Sequence, residues 1–406
     1  MLPAGARVVA PSIGVAAAPG VAVSKGGRGA LFRDERGLPI RTITSNLHTM
    51  WKRLAATRLT SLARQFPAVL ILGARQVGKT TLARTVFPGL PYVDLEEPGT
   101  RARFADDPTA QLELLDRGAV LDEAQTVPEL FGSLRGVIDA TPRARGRFVL
   151  LGSAQPALVR RVAESLAGRV GILELDPLTV AETAPGRPRR DWRALWLAGG
   201  FPGALRGAFR EWWEAYLRTY VERDLPALGV GANPLLLRRL LTMLAHQQGG
   251  IFNASAVGQS LDVSYHTVQR YLDVLEQTFL IRRLAPYFRN VGKRLVKAPK
   301  VYLRDTGLLH HLLNLDTLAA VASHPVHGAS FETFVIEDLL RRERLVHPHG
   351  LAYFWRTATG SEVDLVLDRG NRRLLVEVKA GRGDRGSVGR VLEGALRDVD
   401  AEAAWI

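Results

Sequence analysis

The stretch Gly73-Ala74-Arg75-Gln76-Val77-Gly78-Lys79-Thr80 decides the fold, because it follows the apolar run Ala68 to Leu72 and opens a helical segment near Lys79. Its spacing, G-x-x-x-x-G-K-[ST], belongs to a loop that wraps phosphate oxygens between a strand and a helix. Gly73 and Gly78 permit a tight backbone nest, whose N–H groups join the dipole of the following helix in attracting anions. Lys79 is placed to reach β- and γ-phosphates, and Thr80 to give its hydroxyl to Mg2+. The nucleotide-contacting set is therefore Gly73, Ala74, Arg75, Gln76, Val77, Gly78, Lys79, Thr80 and Thr81, with ATP or GTP as ligand.

Further along, Ala119-Val120-Leu121 ends in Asp122-Glu123. A continuous apolar run reads as a buried parallel strand. An acidic pair at its carboxyl end places Asp122 beside the metal and Glu123 where it polarises a water. A third strand, Arg147 to Leu151, runs into Gly152-Ser153-Ala154-Gln155, and in a doubly wound sheet Ser153 then faces the crevice and can sense the γ-phosphate. Arg169, in Ser165-Leu166-Ala167-Gly168-Arg169, reads equally as a finger reaching a phosphoryl group or as a solvated helix-end cation.

The segments LGARQVGKTTL, YVDLEEP, VLDEAQTVPELFGSLRGVID, LLGSAQ, SLAGR, AGGFPGAL and YLRTYVERDL occur here in the order seen in a family of prokaryotic AAA-type ATPases. The resemblance covers roughly residues 50 to 400. It implies an ATPase core on which Gly78, Lys79, Thr80, Asp122 and Glu123 take their usual roles. A helical and winged-helix region and a C-terminal domain resembling restriction-endonuclease-like folds are implied to follow. AAA relatives often form rings with finger arginines acting across subunits, so the resemblance also implies a homo-oligomer.

With 406 residues and 47% hydrophobic content, the chain is long enough for two or three domains. Lysine and arginine total 54 against 40 acidic residues, and the net charge of +14 favours nucleic acid, expected to be DNA, over other partners. The absence of cysteine excludes disulfides and thiolate zinc sites and fits a reducing cytoplasm. No segment has the uninterrupted apolar length of a membrane span. The mildly apolar stretch Val8 to Val23 is broken by Pro11, Gly14, Pro19 and Gly20, so residues 1–49 read as a flexible extension, or as an upstream start before Met50, rather than a signal peptide.

Between Asp191 and Leu228, Trp192, Trp196, Trp212, Trp213, Tyr216, Leu217 and Tyr220 recur at helical spacing and read as core, with Gly199 to Gly203 a loop that breaks two helical stretches. From Phe252 onward the pattern is helix, turn, helix. Asn253 or Ser255 caps a first helix ending near Leu261, and Ser264 caps a second from Tyr265 to about Gln277 with Val268, Leu272 and Leu275 inward. Tyr265, His266, Gln269, Arg270 and Asp273 lie on its other side. Strand-like Phe279 to Leu284 and Val301 to Leu303 flank the basic residues Arg289, Lys293, Arg294, Lys297 and Lys300, predicting a winged helix with a positive wing.

Near the C-terminus Glu362 to Leu367 alternates as a strand, Asp368-Arg369-Gly370-Asn371 turns, and Arg372 to Ala380 returns. Glu377 and Lys379 share a face of the return strand, and the turn brings Asp364 near them. This is the arrangement of the PD-(D/E)XK nuclease fold, with Glu332 on the preceding helix as a fourth member. Glu332, Asp364, Glu377 and Lys379 are thus a second candidate metal set, for Mg2+-dependent cleavage of a phosphodiester or for binding alone. The chain stops at Trp405-Ile406, soon after this pair of strands, whereas the family it resembles usually continues, so the resemblance implies a shortened domain. His310, His311, His347 and His349 have no convincing third ligand and carry no metal expectation.

The fold class expected is α/β: a P-loop NTPase core with a parallel sheet and helices on both faces, then a helical and winged-helix region, then an α/β restriction-endonuclease-like domain. The expected divisions are 1–49, 50–185, 186–245, 246–325 and 326–406. The expected activity is hydrolysis of ATP with Mg2+, coupled to DNA binding. The competing readings are a nucleotide-gated switch for a protein partner and an ATP-regulated nuclease.

Overall fold

The computed structural model describes residues 51–153, 156–183, 192–225, 233–287, 298–381 and 385–406. The first region runs α1 (Ala55–Gln65), β1 (Ala68–Gly73), α2 (Lys79–Val86), β2 (Tyr92–Asp94), α3 (Pro98–Asp106), α4 (Pro108–Glu113) and β3 (Ala119–Asp122). It continues with α5 (Leu130–Ala140), β4 (Phe148–Ser153), α6 (Pro156–Ser165), β5 (Val170–Glu174) and α7 (Val180–Thr183). All its strand pairs are parallel, in the order β2-β3-β4-β1-β5. Every residue of β1 is buried. Its side chains divide by parity, Val69 and Ile71 joining one apolar cluster and Ala68, Leu70 and Leu72 another. Period-two alternation with both faces apolar requires helices on both sides of the sheet, as expected for this core.

The middle region contains α8 (Trp192–Ala198), α9 (Pro202–Arg206), α10 (Phe209–Tyr216), a π-helical segment (Leu217–Asp224), α11 (Pro234–His246), α12 (Ala254–Leu261) and α13 (Tyr265–Gln277). Trp213, Tyr216, Leu217 and Tyr220 are buried, as core side chains at helical spacing should be. The Gly199 to Gly203 break is shorter than its sequence suggests, because Pro202 occupies the first turn of α9, where its missing N–H costs nothing. Asn253 accepts from Ala256 N and Ser264 from Thr267 N, and Val268, Leu272 and Leu275 are buried. After α13 come β6 (Ile281–Pro286) and β7 (Lys300–Leu303), an antiparallel pair. Arg289, Lys293, Arg294 and Lys297 lie outside the described residues, as do residues 1–49, Ala154 and Gln155.

The last part runs α14 (Thr306–Leu312), α15 (Leu318–Ser323), α16 (His327–Val346), β8 (Leu351–Arg356), β9 (Glu362–Asp368), β10 (Arg373–Val376), α17 (Arg385–Val399) and β11 (Ala403–Trp405). Its sheet has the order β11-β10-β9-β8-β6-β7. The hairpin β6–β7 therefore belongs to the C-terminal sheet: β6 pairs with β8 at Ala285–Tyr353 and Pro286–Phe354. A division at 325/326 cuts through this sheet. The divisions near 186 and 246 likewise cross one apolar cluster that runs from Ala55 to Val326. Among the described residues no helix is long and apolar enough to cross a membrane.

Candidate functional site

The phosphate-type loop sits at the carboxyl edge of the parallel sheet, and its sequence explains its shape. Gln76 and Gly78 take left-handed backbone angles, φ 59° and 103°, which turn the chain into α2. A Cβ at Gly73 would lie 2.5 Å from Leu175 O, so only glycine fits beneath the loop. Lys79 is buried, and its ammonium donates to Gly73 O and Ala74 O at 3.1 Å each. Burial lowers its pKa, partly offset by Glu123 and Asp122. Thr80 donates its hydroxyl to Asp122 Oδ2 at 2.6 Å, and Tyr92 donates to the same oxygen at 2.8 Å. The Tyr92 phenol is raised by burial and by that hydrogen bond. Asp122 Oδ1 accepts from Glu123 N at 2.9 Å, fixing the carboxylate's plane.

Glu123 itself has a left-handed backbone, φ 51°, an uncommon state for a non-glycine residue, and its carboxylate accepts from Gln125 Nε2. Ser153 closes β4 opposite Gly73 in register, at the same sheet edge. A hydroxyl and a carboxylate within hydrogen-bond distance form a hard-oxygen pair. Such a pair suits Mg2+, which completes its shell with waters and substrate phosphates.

Three side chains of this site have no motif to announce them. Arg53, just before α1, donates to Val77 O at 3.1 Å, to Asp176 O, and to Glu182 Oε1 at 3.1 Å. Trp51 and Arg206 line the same cavity, about 780 Å³ in volume. Their signal is only in three dimensions, since they come from the segment before α1 and from α9.

Arg169 lies away from its own chain's loop. Val170 pairs with Ala68 at the amino end of the sheet, so Arg169 lies roughly 17 Å of strand away from the loop that follows Gly73. There it makes a two-pronged ion pair with Asp139, at 2.6 and 2.9 Å.

The second constellation assembles differently from its sequence reading. Asp364 and Glu377 do meet: Asp364 Oδ2 accepts from Val378 N at 2.9 Å, and Lys379 pairs with Glu377 at 2.5 Å. The return strand stops at Val376 because Asp364's side chain takes Val378 N in place of a ladder partner. Glu332 reaches the cluster from α16, accepting from Tyr302 OH at 2.6 Å. Lys300 is the correction here. Expected on a solvated wing, it is buried, with its ammonium 2.5 Å from Glu362, 3.3 Å from Glu332 and 3.5 Å from Asp364. Burial opposes its charge, yet the three carboxylates raise its pKa well above that of a free lysine. Burial, then Asp364, pushes Glu332 up to about 7, and the same causes raise Glu377. Among the described residues no three His, Cys, Asp or Glu side chains are grouped to hold a metal ion.

Between the two sites lies a buried ionic seam. Arg304 pairs with Asp176 at 2.6 Å, with Glu174 at 3.3 Å and with Glu337 at 3.5 Å. Arg341 donates to Leu178 O at 3.1 Å, and Val180 N to Asp338 at 2.8 Å. The segment that carries Asp176 thus touches Arg53 on one side and α16 on the other.

A glycine-nested loop on a parallel sheet, with an acidic pair ending the next strand but one, defines an AAA-type P-loop ATPase domain. Residues 65–184 match the family described as "AAA domain", and residues 189–319 and 327–406 match two described as domains of unknown function. The chain belongs to the same family as two mycobacterial proteins, Uncharacterized protein Rv2008c of Mycobacterium tuberculosis and Uncharacterized protein Mb2031c of Mycobacterium bovis. Each is 42% identical over 354 residues, which span 86% of this chain and 78% of theirs. Among solved structures, the Walker-type ATPase paby2304 of Pyrococcus abyssi aligns with TM-score 0.44 at 16% identity, over 65% of this chain and 96% of that one. A single-substitution variant of RuvB from Thermotoga maritima aligns with TM-score 0.30 at 22% identity, over 56% and 88%. Likeness this loose assigns no residue a role.

Proposed function

We propose that this chain hydrolyses ATP with Mg2+ and uses the cycle to move a nucleic-acid-binding surface, with the C-terminal carboxylate cluster kept for structure or binding rather than for cutting. The observation that carries the first half is the 2.6 Å contact between Thr80 and Asp122 beside Glu123, under a loop whose lysine has only carbonyl partners. In this reading Thr80 and Asp122 hold Mg2+, which when bound offsets charge on the β- and γ-oxygens. Lys79 exchanges the two loop carbonyls for phosphate oxygens. Glu123 orients the attacking water, and Ser153 senses the γ-phosphate. Arg75, Gln76, Val77 and Thr81 complete the cradle with backbone and side-chain donors.

The DNA half rests on the net charge of +14 and on the exposed side of α13, where Tyr265, His266 and Arg270 stand clear of the core. Asp273, half-exposed beside them, has its charge offset by pairing with Arg283 at 2.8 Å. In this reading the coupling runs through Tyr220, a buried side chain of the apolar cluster that also holds Val77 of the loop and Val268, Leu272 and Leu275 of α13. Against cleavage stands Lys300, whose ammonium holds the place among Glu332, Glu362 and Asp364 that a metal-dependent nuclease needs for its cation.

Purified chain incubated with ATP, Mg2+ and plasmid, with phosphate release and DNA integrity followed together, tests the whole reading. Expected are phosphate release that disappears in Lys79→Ala, intact plasmid, and salt-sensitive retardation of the DNA. Mg2+-dependent nicking lost in Glu377→Ala would replace this reading with a nuclease. Turnover indifferent to DNA and salt would replace it with a switch for a protein partner.

A further inference from the structure

A phosphate nest works only when its N–H groups point inward, which turns the loop's carbonyls outward into the protein. Buried carbonyls need donors. Two of them, Gly73 O and Ala74 O, accept from Lys79, which an incoming phosphate would draw away. A further one, Val77 O, accepts from Arg53 Nη1 at 3.1 Å, and Val77 is fully buried. Arg53 reaches this oxygen from a fixed position, because its Nε donates to Glu182 Oε1 at 3.1 Å and its Nη2 to Asp176 O. Both of those acceptors are held independently of it. Glu182, buried on α7, accepts from Leu54 N at 2.7 Å and from Thr179 N at 2.8 Å, while Asp176 gives its carboxylate to Arg304 at 2.6 Å. A planar guanidinium with two such contacts made has its remaining N–H directions set.

In a trans peptide the C=O and the following N–H point opposite ways, and no described peptide bond is cis. Holding Val77 O therefore aims the Gly78 N–H away from Arg53, into the nest. Glycine at 78, with φ 103°, leaves this peptide plane free to rotate, so its orientation has to be imposed from outside the loop. We infer that Arg53 is a positioning residue for nucleotide binding: it acts behind the loop, fixing the Val77–Gly78 peptide so that the Gly78 N–H faces a phosphate oxygen. The inference rests on the nucleotide-binding reading of the loop. Lys79 is then the cation that changes partners when the ligand arrives, and Arg53 the one that keeps them.

The test is calorimetry on the full chain with Mg2+, titrating ATP and inorganic tripolyphosphate into Arg53→Lys and Arg53→Ala. Lysine keeps a cation beside Glu182, so that variant should fold, but one ammonium cannot span the three acceptors that the fork holds. In Arg53→Lys both ligands should lose affinity by the same factor, about tenfold, with the binding stoichiometry of the unmodified chain. Arg53→Ala should lose at least as much. A merely structural role would instead lower the stoichiometry, through unfolded molecules, and leave the affinity of the remainder unchanged; that result would overturn the inference. Full affinity in Arg53→Lys would also overturn it, since charge alone would then suffice. So would a loss for ATP only, which would make Arg53 a contact to base or ribose. If the unmodified chain bound neither ligand, the loop reading would fall and the inference with it, whereas binding of both that disappears in Lys79→Ala upholds that reading and leaves the Arg53 variants to judge the inference alone.

Discussion

Lys79 and Lys300 are both buried, and they sit in opposite surroundings. Lys79 is flanked by two loop carbonyls, and burial lowers its pKa. Lys300 is surrounded by three carboxylates that raise it. A buried ammonium without a full counter-charge is poorly compensated and gains from any incoming anion. One already neutralised has nothing to gain and is costly to disturb. The comparison separates a lysine poised for a ligand from a lysine that completes the fold, although the sequence alone sets both against phosphate.

The sharpest way to break this comparison is Lys79→Ala. It should abolish nucleotide turnover and weaken triphosphate binding by more than about a hundredfold, while the thermal midpoint hardly moves, because no ion pair is lost. Calorimetry and a melting curve read both halves, and a large loss of stability would erase the distinction. The reverse pattern is expected for Lys300→Met. Leaving Glu332, Glu362 and Asp364 without their cation should cost about 3–5 kcal/mol of stability with ATP binding intact. Added Mn2+ should recover part of that stability in the variant and have no such effect on the unmodified chain. Equal Mn2+ responses would mean that Lys300 does not hold the cation position.

A third buried base sharpens the comparison through pH. His310 has no anion beside it. Its Nδ1 faces Leu197 O at 2.9 Å and its Nε2 faces Ser330 Oγ at 2.7 Å, and burial lowers its pKa from 6.5 to about 4. Between those values the unfolded chain takes up a proton that the folded chain refuses. Its contribution is therefore complete above pH 6.5 and is lost as the pH falls toward 4, on the order of 3 kcal/mol in all. The thermal midpoint should drop over this window, and His310→Gln should flatten the drop. The smallest effect expected is from Ser264→Ala, about 1 kcal/mol through loss of the α13 cap, seen in chemical denaturation with ATP binding unchanged.

What could be read from the chain follows from distance along it. The nucleotide loop is eight consecutive residues, and its acidic partners end a strand with a plain apolar signature. α12 and α13 were legible because caps and apolar period fall within thirteen residues or fewer. Lys300 was not, since its partners lie 32 to 64 positions away and only the folding of β7, β9 and α16 onto one another brings them in. Arg53 meets Glu182 across 129 positions for the same reason. Arg169 escapes a reading from sequence because a basic residue before a strand says nothing of which end of the sheet it will occupy. Parallel strand direction, visible only in the register of β5 with β1, decides that. Asp364 and Glu377 meet and Glu332 approaches them from α16, but the pattern had no means of showing that a lysine from the preceding hairpin lies against Glu332 and Asp364.

The pairing of β6 with β8, across the α14–α16 segment, has a practical consequence for anyone dividing the gene. A fragment ending before α16 would strip β8 from β6 and bare the backbone groups that now meet Tyr353 and Phe354. An uncovered strand edge of this kind recruits other chains. Expression trials that split the polypeptide there should yield aggregates, and soluble pieces are to be sought by keeping the hairpin with everything downstream of it.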